Sequence, residues 1–295
     1  MINIFSKLIR NVSILFLSNH STYFIGMIAA RIGRWFRTLS FNQYVENDFH
    51  TITMFNNIKI TVDRFSYMGG TIFWTGFHHI SEALYLKKYL SKNMTFVDVG
   101  ANQGEFSLIA ASILTSGTVL AFEPVSHQRN LLEKNKGLNN FNNIEIFPFG
   151  LSNKIEKLPI YTSSDKTLHH GKHEGLSSIF SSDNRNEQQE IIEIKIFDDI
   201  FFEKLNRIDF IKIDIEGAEL FALQGMEKSI KKFHPSILIE INEETFKTAG
   251  YTTNDVIAFF TDLGYKFYEI KRGQLSSNCI TNFEKWGNYI ARYTE

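Results

Sequence analysis

Phe96-Val97-Asp98-Val99-Gly100-Ala101-Asn102-Gln103-Gly104-Glu105-Phe106 is the stretch on which the reading of this chain turns. An apolar strand enters a glycine turn and then a helix start. About one βαβ unit later, Leu120-Ala121-Phe122-Glu123-Pro124 gives a second strand with a carboxylate at its carboxyl end. Glycine admits positive φ and close approach of a ligand, and the following helix offers unpaired amides. An acid ending the second strand accepts both hydroxyls of a ribose. The pairing predicts a nucleoside site with Asp98, Gly100, Ala101, Asn102, Gly104, Phe106, Glu123 and Pro124 as candidate contacts.

Spacing narrows the choice of cofactor. A dinucleotide loop reads G-x-G-x-x-G, whereas here the glycines are Gly100 and Gly104 and Asn102 stands where the middle glycine would fall. Asparagine tolerates the left-handed region, so the tight turn survives while the close phosphate cradle does not. Such a loop suits S-adenosylmethionine, which carries adenosine without a pyrophosphate.

From Met94 onward strands and helices alternate, which predicts an α/β fold with a parallel, doubly wound sheet. Phe106, Ile109, Ala110, Ile113 and Leu114 form the core stripe of the first helix, with Gly117 as its C-cap. A second helix is expected over 126–136, and a third strand over 144–149 that ends at Gly150-Leu151-Ser152-Asn153. Phe210 to Gly217 reads as the strand beside the glycine-loop strand, followed by a helix over 218–233 and a strand over 236–242. Ligands of open sheets bind beyond the carboxyl ends of strands near the topological switch point. Asp214, Glu216 and Glu240 are therefore the candidate catalytic carboxylates, with Asp214 also at the cofactor. A carboxylate with a raised pKa takes the proton of a hydroxyl acceptor. Alternatively, Asp214, Glu240 and Asn242 hold a magnesium ion that lowers the acceptor's pKa. A buried Lys212 is expected to pair with an acid. Thr252 and Asp255 form a capping box for a helix ending at Gly264, and two last strands, 265–270 and 288–293, flank a polar loop.

The strings VDVGANQGEFS, AFEP, GLSN (150–153), GLSS (175–178) and FIKIDIEGAEL (210–220) resemble the FkbM-type S-adenosylmethionine-dependent methyltransferases. The likeness covers roughly Glu82 to Glu269. It implies a class I methyltransferase (Rossmann-like) fold, mostly parallel with an antiparallel last strand. It also implies O-methylation of a sugar, or of a hydroxyl on a glycosylated natural product. In that fold the 150–153 turn lies beside the adenine, so that Leu151 packs on the ring and Ser152 bonds its edge; an ordinary strand-end turn is the alternative. Segments ahead of the first central strand lid the pocket in this family.

With 295 residues and 43% hydrophobic content the chain can bury a full core. Two units are expected, 1–90 as a helical and β-hairpin extension and 91–295 as the cofactor domain. A net charge of −1 provides no field to recruit nucleic acid. The single cysteine, Cys279, excludes an internal disulfide and reads as a loop residue, consistent with a cytoplasmic setting. From Met1 to Val45 there is no acidic residue, while Lys7, Arg10, Arg31, Arg34 and Arg37 are present. Phe5, Leu8, Ile9, Val12, Leu15 and Phe16 recur at helical spacing. That helix either packs on the domain behind it or lies on an anionic membrane surface; its apolar run is too short for a signal peptide or a membrane span. The stretch 46–92 reads as a β-hairpin layer and a helix over 81–90. Tyr67, Phe73, Trp74 and Phe77 read as core first and as a sugar platform second. Ser163 to Gln189 is a polar loop that suits covering a substrate. Its His169, His170 and His173 lack the partners of a zinc site, and one of them is a minor candidate for a general base. Two other classes stay open: a nicotinamide-dependent oxidoreductase, and a non-catalytic cofactor-binding module brought to a membrane assembly.

Overall fold

The computed structural model describes residues 2–17, 22–40, 45, 47–162, 178–180 and 187–294. His169, His170 and His173, with the expectations placed on them, lie outside the described residues. Helices α1 (Ile2–Leu17) and α2 (Tyr23–Ser40) are followed by an antiparallel hairpin of β1 (Phe49–Thr53) and β2 (Lys59–Asp63), then α3 (Tyr67–Thr75) and α4 (Ile80–Tyr89). The hairpin and α4 follow the sequence pattern. Helix α3, which contains Gly69 and Gly70, lies outside both of those expected elements. Here the two glycines serve close packing: a Cβ on Gly69 would stand 2.4 Å from the Asp63 carbonyl, and one on Gly70 2.6 Å from that of Arg64. Phe73, Trp74 and Phe77 are buried core residues.

The apolar stripe expected on α1 is split between the two sides of the helix, with Ile9 buried and Val12 and Phe16 half-buried. Phe5, Leu8 and Leu15 are exposed, and the helix packs through Ser6, Ile9, Arg10, Ser13 and Leu17. No helix among the described residues is long and apolar enough to cross a membrane.

The central region runs β3 (Thr95–Val99), α5 (Glu105–Ile113), β4 (Thr118–Phe122), α6 (Ser126–Leu138), β5 (Ile144–Phe147), β6 (Gly150–Leu151), β7 (Glu156–Thr162), β8 (Glu187–Lys195), α7 (Phe197–Phe201) and β9 (Phe210–Ile213). It continues with α8 (Glu219–Gly225), α9 (Glu227–Phe233), β10 (Ser236–Asn242), α10 (Glu243–Ala249), α11 (Thr253–Asp262), β11 (Tyr265–Lys271), β12 (Gln274–Leu275) and β13 (Trp286–Tyr293). One sheet has the order β12-β11-β13-β10-β9-β3-β4-β5. Strands β10, β9, β3, β4 and β5 pair in parallel, while β13 is antiparallel to both neighbours. This is the doubly wound class I methyltransferase arrangement, with its antiparallel last strand.

Alternation along the strands divides their side chains between two apolar clusters. Phe96, Val119, Ala121, Phe210 and Leu238 join one, and Val97, Val99, Leu120, Phe122, Ile211 and Ile213 join the other. Burial on both faces explains why these strands read as nearly continuous apolar runs. The first cluster also takes in Ile52, Ile60, Val62 and Trp74, so apolar contact is continuous across position 90.

Local departures from the sequence pattern have local causes. The helix expected over 218–233 divides at Met226 (φ −113°), and a Cβ on Gly225 would meet the Ser152 carbonyl at 2.1 Å. Helix α5 stops at Ile113, and Gly117 instead packs against Met94 at the entrance to β4. The third strand ends at Phe147, two residues early. At α11 the capping box of Thr252 and Asp255 forms, and Gly264 follows at φ 78°.

Candidate active site

The chain leaves β3 for β4 and β5 on one side, then returns to β9 on the other. Loops after β3 and β9 therefore diverge and open a cleft at the carboxyl edge. The wall of the cleft includes Gly100, Asn102, Glu123, Pro124, Leu151, Asp214 and Glu216.

The glycine turn is built as its composition requires. Gly100, Asn102 and Gly104 have φ of 79°, 52° and 100°. At Gly100 even a methyl group is excluded, since a Cβ would lie 2.2 Å from the Asp214 carbonyl. The amides of Gly100 and Ala101 both donate to the Phe122 carbonyl at 3.0 Å, and that of Gly104 donates to the Ala101 carbonyl at 2.9 Å. Asn102 N donates to Glu123 Oε2 at 2.7 Å, and Gln103 N to Asn102 Oδ1 at 2.7 Å. All five amides of the turn are thus engaged within the protein.

Glu123 closes the opposite side. Its Oε1 accepts the Val125 amide at 2.9 Å, so two backbone donors occupy part of a carboxylate that has about four acceptor positions. Burial pushes its pKa up to about 7, with the two amides working against the rise.

Lys212 ties the turn to β9. Its Nζ donates to the Gly100 carbonyl at 2.8 Å and lies 3.4 Å from Asp214 and 3.7 Å from Asp98. Burial disfavours this ammonium, but the Asp214 and Asp98 carboxylates outweigh burial and hold its pKa above the usual lysine value. The expected pairing of Lys212 with an acid is present twice.

Beyond Lys212 the chain bends sharply, with Glu216 at φ 53° and Gly217 at φ 104°. Three groups hold that bend. Glu219 accepts the amides of Ile215 and Gly217 at 2.9 Å each, Tyr251 Oη donates to the Gly217 carbonyl at 3.0 Å, and Ser178 Oγ donates to the Glu216 carbonyl at 2.7 Å. Burial raises the Glu219 carboxyl to about 7.

The bend brings one carboxylate oxygen from each of Asp214, Glu216 and Glu240 within 4.8 Å of the others. Burial above all, then repulsion from Asp214, Glu216 and Glu219, drives the Glu240 carboxyl well above the carboxylate range; a hydrogen bond from Trp286 Nε1 at 2.7 Å opposes the rise.

Several sequence candidates stand behind the wall rather than on it. Asp98 is wholly buried beneath the turn, where Ser107 Oγ donates to it at 2.6 Å. Gly104 caps α5 with Leu132 packed against it, Phe106 lies under Lys212 and the His79 ring, and Ala101 is enclosed. Ser152 donates its amide to the Lys195 carbonyl. Asn242 caps α10, accepting the Glu244 amide at 3.2 Å, and Glu216 joins Asp214 and Glu240 in the acid cluster. Residues that the sequence reading did not single out also line the cleft: Val125, Gln128, and Ile160, Ile192 and Ile194 from the sheet of order β6-β8-β7. Alternation at Ile192 and Ile194 was the available signal, and the long polar connection between β7 and β8 obscured their pairing.

A glycine turn, an acid after the second strand and carboxylates at the switch point, grouped around one cleft, define a class of nucleoside-cofactor α/β proteins. Residues 98–267 match the Methyltransferase FkbM domain, and the chain belongs to that family. It is 27% identical over 202 residues to Methyltransferase sdnD of Sordaria araneosa, covering 60% of this chain and 75% of that protein. It is 23% identical over 164 residues to Methyltransferase 1 of Beauveria bassiana (strain ARSEF 2860), covering 49% and 63% respectively. The crystal structure of an FkbM methyltransferase from Methylobacillus flagellatus KT matches with a TM-score of 0.45 and 18% identity, over 69% of this chain and 44% of that one. The chain thus spans less than two thirds of the length of the Beauveria and Methylobacillus proteins.

Proposed function

We propose that the protein is an S-adenosylmethionine-dependent O-methyltransferase whose acceptor is a hydroxyl of a sugar, a polysaccharide or a glycosylated metabolite. The observation that carries the reading is one cleft with Glu123 at one side and Asp214 and Glu216 at the other. The residues present suit the cofactor. Glu123 keeps acceptor capacity for a ribose diol, and Leu151 with Ile160 and Ile194 offers an apolar wall for an adenine. A dinucleotide is disfavoured because every amide of the 100–104 turn is already bonded inside the protein, leaving none there for a pyrophosphate.

When bound, the cofactor supplies an electrophilic methyl group on a sulfonium whose leaving group departs neutral. The protein's task is then mainly positioning. Lys212 fixes the turn and Asp214 relative to each other, and Glu219, Tyr251 and Ser178 fix the bend that carries Glu216. The three carboxylates lie close enough for the charge on one to act on the others. Burial and the neighbouring acids favour a proton on Glu240, while Asp214 and Glu216 line the cleft, where either is placed to take the acceptor's proton as attack proceeds. The sugar acceptor follows from the family resemblance.

Calorimetry with S-adenosylhomocysteine and with NADH tests the cofactor, and transfer of labelled methyl to a glycan panel tests the reaction. Heat with NADH alone would sink the proposal. Donor binding without transfer to any glycan would favour the non-catalytic module. A second reading rests on the same 4.8 Å cluster: a magnesium ion would relieve the repulsion that a proton on Glu240 otherwise relieves. Turnover that persists in EDTA excludes the ion.

A further inference from the structure

Helices α1 and α2 pack on each other and both rest on α3, so their outward sides share one outer face of the protein. Their inward sides combine apolar Ile9 and Leu17 of α1 with many small or polar residues. On α2 the inward residues are Gly26, Ala29, Ala30, Gly33 and Arg37, and a Cβ on Gly26 would lie 2.5 Å from Leu17 Cγ. Other large apolar side chains point outward. On α1 they include Ile4, Leu8 and Leu15, and on α2 Phe24, Ile28 and Trp35, with Ile4 78% and Phe24 75% exposed. Three- and four-residue spacing keeps each set on one stripe. This departs from the normal order of a surface helix, and the face extends well beyond the singly scattered apolar residues of an ordinary surface.

Charge identifies the occupant. Lys7, Arg31 and Arg34 are exposed on these helices, and no carboxylate occurs anywhere from residue 1 to 45. Arg31 and Arg272 line a hollow beside Phe24 and Ile28, while the neighbouring Lys271 is paired with Glu269. An apolar stripe bordered by cations matches a surface with acyl chains beneath anionic headgroups. A second copy of the chain matches it poorly. A two-fold contact sets the same patch against itself, which would bring Lys7, Arg31 and Arg34 together with no acid from residues 1–45 of either copy.

We propose that the α1–α2 hairpin docks this protein on an anionic lipid surface, lying in its plane with the outward stripe among the acyl chains. The proposal does not depend on the methyl-transfer reading.

The test is co-sedimentation of the full chain with vesicles of phosphatidylcholine alone and with phosphatidylglycerol added. The protein should pellet with the anionic vesicles, be released by high salt, and stay in solution with the neutral ones. Arg31→Gln with Arg34→Gln should weaken binding about 25-fold, near fivefold for each charge. Ile28→Ser with Trp35→Ser should abolish it while the far-ultraviolet circular dichroism and S-adenosylhomocysteine binding stay as in the parent. The arginine pair keeps the test valid should the serine pair disturb folding. Equal binding to both vesicle types, or to neither, overturns the proposal. So does a dimer in sedimentation velocity that the serine pair disperses, since the face would then belong to a second copy.

Discussion

Replacing Glu123 by glutamine separates charge from shape at the centre of the site. The carboxyl of Glu123 ordinarily titrates near 4.5, and burial raises it to about 7 in the folded protein. Between those values the native state holds a proton that the unfolded chain has released, so stability falls as pH rises. Over about 2.5 pH units at about 1.4 kcal/mol each, the ionised carboxylate costs roughly 3 kcal/mol by pH 7. Glutamine has no such cost. Its carbonyl keeps one of the two amides now bound by the carboxylate, Asn102 N or Val125 N, and its NH₂ group faces the other, a loss of about 1–3 kcal/mol. The variant should therefore be the less stable protein near pH 5 and should draw level with or overtake the parent by about pH 7, with no further change above it. Urea unfolding of both proteins from about pH 5 to about pH 8 measures this difference. Taking the difference cancels Glu219, which titrates in the same window. A difference that does not vary with pH would refute the reasoning. The same carboxylate makes a ligand prediction: S-adenosylhomocysteine should bind about tenfold more tightly per pH unit on approach to pH 7 and release a proton as it does so, and Glu123→Gln should lose both effects.

Lys212→Met leaves Asp98 buried without its cation and should destabilise by about 3–5 kcal/mol; because protonating Asp98 relieves the deficit, the loss measured by urea unfolding should shrink at low pH. Gly100→Ala must displace the Asp214 carbonyl and hold alanine at φ 79°, so it should cost more than about 1 kcal/mol in thermal unfolding and weaken S-adenosylhomocysteine binding in calorimetry. Glu240→Gln replaces a carboxyl whose protonated form is favoured by burial and by the neighbouring acids, so kcat should change little, whereas Glu216→Gln should lower kcat by ~10²-fold or more with donor affinity retained; equal losses in the two would reject the division of roles.

Elements whose signal is local were legible without the structure. The 96–106 run carries its strand, turn and helix within a few residues, and Asn102 takes the left-handed conformation that its side chain tolerates. The Thr252–Asp255 box is equally local. Helix α3 was not legible, because Gly69 and Gly70 look like a turn until the strand-end carbonyls of Asp63 and Arg64 are seen pressed against them. The inward and outward sides of α1 were not legible either. Periodicity finds a stripe and says nothing of which side faces the core, and here polar Ser6, Arg10 and Ser13 face inward.

From its sequence alone this protein has a turn with Asn102 in place of a middle glycine, an acid after the second strand and a carboxylate run ending the fourth strand of its parallel set. Each is a matter of residue type at short range. Tertiary structure alone decided which acids meet. Asp98 sinks under Lys212, Asn242 is taken up by a helix cap, and the left-handed bend at Glu216 and Gly217 brings Glu216 to Asp214 and Glu240. Distances between residues remote in sequence depend on how strands are ordered and on which buried groups demand partners. Local pattern carries neither.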